Sequence, residues 1–182
     1  MRKNRRRHLR KTILVIVDGE SEQIYLNNFK NSNTAIKPEL PKRKALNDLY
    51  TYFKKEKENY DKSFWIIDLD VPIRENRIHD IKNFKQNYSD EIIINHPCLE
   101  FWFLLHYEVR NFNNNCNEII SYLKRAYSEF NNYNKSADDI KKVLPHLKNK
   151  IQNAIENSRQ RECNLDSLIN CSEMFKFFEE IE

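Results

Sequence analysis

Two aspartates one residue apart, Asp68 and Asp70, close the apolar run Phe64-Trp65-Ile66-Ile67. Phe, Trp and Ile favour a pleated backbone, and an unbroken apolar run predicts a strand buried on both faces. Side chains alternate along a strand, so the two carboxylates are expected on one side, with Cα atoms about 7 Å apart. Val71-Pro72 follows, and proline cannot continue a central strand. The pair therefore falls where a strand leaves the sheet, the usual place for ligand sites in open α/β sheets. Two acids at the end of a buried strand need compensating charge, and a divalent cation is the simplest source.

A second acidic group surrounds Gly19, the one glycine of the sequence. The β-branched run Ile13-Leu14-Val15-Ile16-Val17 reads as a buried strand ending in Asp18, and Ile24, Tyr25, Leu26 and Phe29 carry a helical pattern after it. Glycine at a strand-to-helix turn supplies backbone conformations that other residues reach only with strain. Ser21 and Glu22 suit a helix N-terminus, which favours negative charge by up to about 1 kcal/mol; that does not account for Asp18. If the two strands are neighbours, Asp18, Glu22, Asp68 and Asp70 converge on one rim. Such an oxygen-rich site suits Mg²⁺ or Mn²⁺, and acid-bound metals of this kind hydrolyse phosphodiesters.

The elements that must position these acids follow the chain. Thr34-Ala35-Ile36-Lys37 forms a short candidate strand, and residues 45–60 an amphipathic helix on Leu46, Leu49, Tyr50 and Phe53. Residues 74–87 read as a loop and then a helix carrying Ile78, Ile81 and Phe84; Glu91-Ile92-Ile93-Ile94-Asn95 is another buried strand. This alternation of strand and helix predicts a mainly parallel sheet with helices on its faces. Pro97 suits a helix start, and Leu99 to Leu105 is apolar nearly all round, which predicts a buried helix. Glu100 within it needs a partner, whether an arginine, backbone donors or a metal. His106 reads as a satisfied core histidine. Residues 118–130 and 136–157 form further helices, the second kinked or split by Pro145, and a short helix around Met174, Phe175 and Phe178 ends the chain.

Composition narrows the class. With 40% apolar residues, 11 Phe and 9 Tyr, the chain can fill a core, which excludes intrinsic disorder. Residues 1–11 hold seven of the positive charges and no acid, leaving 24 basic against 27 acidic residues in the body. The chain is a mildly acidic domain with a basic arm, and the arm is expected either to contact phosphates or to be a solvated tail. No run approaches the roughly 20 apolar residues of a membrane span, and the run behind the arm is too short for a signal peptide. Cys98, Cys116, Cys163 and Cys171 lack zinc-finger spacing, so they read as reduced thiols of a cytoplasmic protein.

Three motifs resemble a known family. Val17-Asp18-Gly19-Glu20-Ser21-Glu22 is similar to the E-G-x-[ST]-E signature of Toprim domains of the OLD and RloB type, and Asp68-Leu69-Asp70 to the Toprim D-x-D. The stretch Asn95-His96-Pro97-Cys98-Leu99-Glu100-Phe101-Trp102-Phe103-Leu104-Leu105-His106 resembles the N-P-C-F-E-x-W-L-L-H block that marks RloB-like proteins, and Tyr133-Asn134-Lys135 falls where that family often has an aromatic and a lysine. The resemblance implies an α/β fold of Toprim type, a Rossmann-like, mainly parallel sheet flanked by helices with a helical C-terminal extension. The parts would be a basic arm (1–11), a Toprim-like domain (12–110) and a helical extension packed on the same domain (111–182).

It further implies a Mg²⁺- or Mn²⁺-dependent nuclease acting on DNA or RNA, the effector of an anti-phage or restriction-linked system, with an AAA- or ABC-type ATPase as partner and oligomers possible. Asp18, Asp68 and Asp70 would be catalytic, and Asp18, Glu22, Asp68, Asp70 and Glu100 would hold metal. One departure stands out: the family's glutamate before the glycine is Asp18 here, whose reach is shorter by about 1.5 Å, one carbon–carbon bond. Asp18 in that place favours a rival reading, a nucleic-acid-binding or docking module without catalysis. A phosphatase of the haloacid-dehalogenase type also ends a strand with D-x-D, with Asp68 as nucleophile and Asp138-Asp139 as its later acidic pair.

Overall fold

The computed structural model describes residues 10–29, 33–113, 115–161 and 163–181. Most of the basic arm, residues 1–9, lies outside them. Five strands form one sheet in the order β2-β1-β3-β4-β5. The first four are parallel: β1 (Lys11–Ile16), β2 (Thr34–Glu39), β3 (Lys62–Asp68) and β4 (Ile92–His96). The expected α/β architecture, a mainly parallel sheet flanked by helices, is the one observed. β1 and β3 are direct neighbours, with Ile16 opposite Trp65.

That adjacency has a topological cause. Helix α1 (Glu20–Asn27) carries the chain from β1 outward to β2, and α2 (Leu46–Glu56) carries it back past β1 to β3. Strand order reverses between β1 and β3, and a crevice opens at such a reversal beyond the carboxyl ends of the strands. Asp18 and Asp68 stand at those two ends.

The sheet is buried on both faces, as the apolar runs predict. Along β3, Phe64 and Ile66 enter one core, while Trp65 and Ile67 enter the other. The second core is closed by α2 and α4 (Ile78–Asn87), with Leu49, Phe53, Ile81 and Phe84 facing the sheet. The first is closed by α1, the apolar helix α5 (Leu99–Leu105), and the later helices α6 (Cys116–Ala126), α7 (Ala137–Asn149), α8 (Ile151–Arg159) and α9 (Met174–Ile181). Pro38 sits in β2, an edge strand, where its missing N–H costs no ladder bond.

Several local expectations are corrected. The C-terminal part also contributes a strand: β5 (Cys171–Ser172) pairs antiparallel with β4. The helical break in that part falls at Lys150, between α7 and α8, and Pro145 lies within α7. Pro97, after a cis peptide bond, precedes the N-cap Cys98 and is not in the first turn of α5. Strand β3 ends at Asp68, and Asp70 opens the short helix α3 (Asp70–Arg74), so strand alternation does not carry across the pair.

The cysteines depart most from expectation. They are not separate thiols: Cys98 is bonded to Cys116 and Cys163 to Cys171. The first bridge joins the N-cap of α5 to the start of α6 across a separation of 18 residues, which spacing in the sequence cannot reveal. Among the described residues, no helix is long and apolar enough to cross a membrane.

Candidate functional site

Four carboxylates from three elements gather at the crevice. Asp18 follows β1, Glu22 lies in the first turn of α1, Asp68 ends β3 and Glu100 lies in the first turn of α5. Glu22 and Glu100 are buried, at 6% and 1% exposure. Asp68 Oδ2 accepts from the Leu99 backbone N–H at 3.0 Å, which ties the end of β3 to the start of α5. Its other oxygen, Oδ1, is buried with no hydrogen-bond partner, and so is Glu22 Oε2.

The electrostatics record the crowding. Burial, then the neighbouring charges of Asp18 and Glu100, pushes Glu22 up to about 8. Burial, with Glu22, Asp18 and Glu100 behind it, raises Asp68 well above the usual carboxylate range. Asp18 is pushed up to about 6, by burial first and then by Asp70, against a backbone hydrogen bond and Lys44, which pull it down. Asp68 thus keeps company with Glu22 and Glu100, while exposed Asp70 acts on Asp18 and accepts from its neighbour's N–H, Val71, at 2.7 Å. The carboxylates of β3 divide between two sides of the site.

Gly19 has a different reason for being glycine than the one its position suggests. Its backbone is extended, φ −126° and ψ 154°, a conformation open to any residue. A Cβ there would stand 2.1 Å from Glu22 Oε2. Glycine leaves the room into which the Glu22 carboxylate folds.

Glu100 has the partners its burial demands. Tyr133 donates to Oε1 at 2.8 Å, and Lys135 Nζ pairs with Oε2 at 2.9 Å. Burial opposes the charge on Lys135, but Glu100, Asp68 and Glu22 outweigh it and raise the amine. Read from sequence as a solvated surface residue, Lys135 is instead the cation that faces the acids. Its signal was the resemblance that places an aromatic and a lysine here.

The Cys98–Cys116 bridge borders the same carboxylate. Cys116 Sγ is 3.2 Å from Glu100 Oε2 and 3.2 Å from Lys135 Nζ. Among the described residues, Cys98, Glu100 and Cys116 are the three metal-ligand types whose donor atoms lie within 4.8 Å of one another. With the sulfurs bonded to each other, that trio offers a cation only Glu100. The remaining acids are near enough to raise one another's proton affinity without closing on a single point.

Two other groups have structural employment. His106 is fully buried; its Nδ1 donates to the Trp102 carbonyl at 2.9 Å, and its Nε2 lies 3.4 Å from the Tyr25 hydroxyl, which accepts from Trp102 Nε1. Burial pushes it down to about 3, so it is a neutral core histidine. Asp139 forms a capping box with Ser136 at the start of α7, and Asp138 pairs with Lys141, which accounts for the acidic pair that a phosphatase reading needs.

The donor set fits a hard divalent cation: it is all oxygen, two of the oxygens are buried and unpartnered, and the local charge is negative. A family model described as RloB-like protein matches residues 13–181. No curated protein and no solved structure matches the chain.

Proposed function

The chain belongs to the RloB-like family, and on that premise we propose that it is a divalent-metal-dependent nuclease of Toprim type that hydrolyses phosphodiester bonds in DNA or RNA. One observation carries the reading: Glu22 Oε2 and Asp68 Oδ1 are buried acceptors without donors, side by side in the influence of Asp18 and Glu100. Buried carboxylates are costly unless protonated or compensated, and a metal compensates several at once.

Asp68, Glu22 and Asp18 would hold Mg²⁺ or Mn²⁺, with Asp70 and Glu100 completing its surroundings. When bound, such an ion polarises a phosphoryl oxygen and stabilises the leaving oxygen. The chain's own residues do the rest. Asp18, with a pKa of about 6, is ionised at neutral pH yet basic enough to take a proton from an attacking water. Lys135 offsets negative charge on the Glu100 side and faces charge that develops on the phosphate.

The family resemblance supports an anti-phage or restriction-linked role beside an AAA- or ABC-type ATPase. A single glycine leaves no phosphate-binding glycine loop in this sequence, so ATP dependence would come from that partner.

Incubation with DNA and RNA, each with Mg²⁺ or Mn²⁺ and with the ATPase present, tests the reading. Cutting that is abolished by chelator and by Asp68→Asn supports it; intact strands under all conditions overturn it. The shortened Asp18 favours the second reading, a binding or docking module. That reading predicts strands retained in a gel shift and never cut.

A further inference from the structure

Asp18 also borders a cavity of about 150 Å³ between the sheet and helices α2 and α3. Its apolar walls include Leu46, Leu49, Trp65 and Ile67, and Lys44 completes the polar side with Asp18. An apolar cavity of this volume takes up a benzene-sized ring. One six-membered ring fits; a fused two-ring purine is larger.

Trp65 supplies the specific element. It is fully buried, and its Nε1–H has no hydrogen-bond partner. An indole N–H only donates, so a ring that satisfies it must bring an acceptor. Lys42 and Arg43 precede Lys44 as exposed cations, and both line an open groove with Tyr52 and Lys55. Cations interleaved with an aromatic ring suit a single nucleic-acid strand.

We propose that this cavity is a base pocket: it receives one pyrimidine of the substrate strand, with a ring carbonyl accepting from Trp65 Nε1–H and the nucleotide's phosphate beside Lys44. The pocket deepens the nuclease reading and rests on it. It gives the site a preference for pyrimidine next to the cut, with the ring too tightly enclosed for adenine or guanine.

The test uses the full chain, ¹⁵N-labelled, whose two tryptophans give two indole N–H signals. Trp65→Phe assigns them by deleting one. UMP or TMP is expected to move the Trp65 signal saturably and leave that of Trp102, which is hydrogen-bonded to Tyr25 in the other core. AMP, GMP and inorganic phosphate should move neither. Ala45→Phe, at the lining, should weaken the UMP effect at least tenfold with the Trp102 signal unmoved, which reports an intact fold. A Trp65 signal indifferent to pyrimidines, or moved equally by AMP or phosphate, overturns the proposal. Metal-dependent cutting of poly(U) and poly(A) at equal rates would overturn the pocket and leave the nuclease standing. A UMP shift without any cutting would support the pocket and remove the nuclease.

Discussion

Lys135 Nζ lies 2.9 Å from Glu100 Oε2, so a cation from the loop before α7 reaches a carboxylate that the core otherwise seals at 1% exposure. Lys135 holds a left-handed backbone, φ 63°, which costs a non-glycine residue roughly 1–2 kcal/mol. Tyr133, two residues earlier, donates to the other oxygen of Glu100. One turn of loop delivers both partners to one acid.

Lys135→Met should therefore destabilise the metal-free protein by about 1–2 kcal/mol. Breaking a fully buried ion pair costs about 3–5 kcal/mol, but 42% of the lysine side chain is in water, which reduces the effect. Urea melts in chelator measure it. Added Mn²⁺ should recover part of the loss, because a cation takes over the compensation of Glu100. A variant as stable as the parent would mean that Tyr133 alone satisfies Glu100.

Gly19→Ala separates site from fold. The extended backbone tolerates alanine, whereas the new Cβ meets Glu22 Oε2 at 2.1 Å and drives that carboxylate out of place. The expected result is a thermal midpoint within a few degrees of the parent's and Mn²⁺ affinity reduced at least tenfold by calorimetry. Unchanged affinity would remove Glu22 from the ligand set.

The Cys98–Cys116 bridge predicts a redox-dependent stability. Closing a loop of 18 residues restricts the unfolded chain by about 3 kcal/mol. In a background with Cys163 and Cys171 changed to Ser, a reducing agent should lower stability by roughly that amount. Protein isolated without reductant should resist alkylation by iodoacetamide. Two alkylated cysteines in that background would refute the bridge.

The fold was legible because β-branched runs and amphipathic spacing repeat in alternation, and that pattern permits few sheets. Asp68, Asp18 and Glu22 were legible at the site because acids that end apolar runs have little structural reason to be there. Three features were hidden. Asp70 leaves the strand's alternation because the backbone turns helical at Leu69. The disulfides join residues 18 and 8 positions apart, a matter of tertiary proximity that spacing does not encode. Gly19 was noticed for the wrong property, since no φ requirement exists there and only the side-chain position of Glu22 reveals the need for space.

Stability without metal should fall as pH rises from 6.5 to 8, and Glu22 should be a principal cause. Its folded value of about 8 exceeds the ordinary 4.5, so the stability it contributes is full below 4.5 and is lost as pH climbs through 8. His106 works the other way: held near 3 against 6.5, it contributes stability above 6.5 that is lost as pH falls toward 3. The two effects oppose each other between 4.5 and 6.5, and above 6.5 His106 is silent. The upper window therefore belongs to the acids. There Glu22→Gln should gain on the parent by up to about 1.4 kcal/mol for each pH unit, read as the difference between urea melts in EDTA at pH 6.5 and pH 8. Saturating Mn²⁺ should reverse the order, since the parent then keeps a ligand that the variant lacks. An advantage equal at both pH values would show that Glu22 ionises normally, and the acidic crowd would lose its most strongly perturbed member.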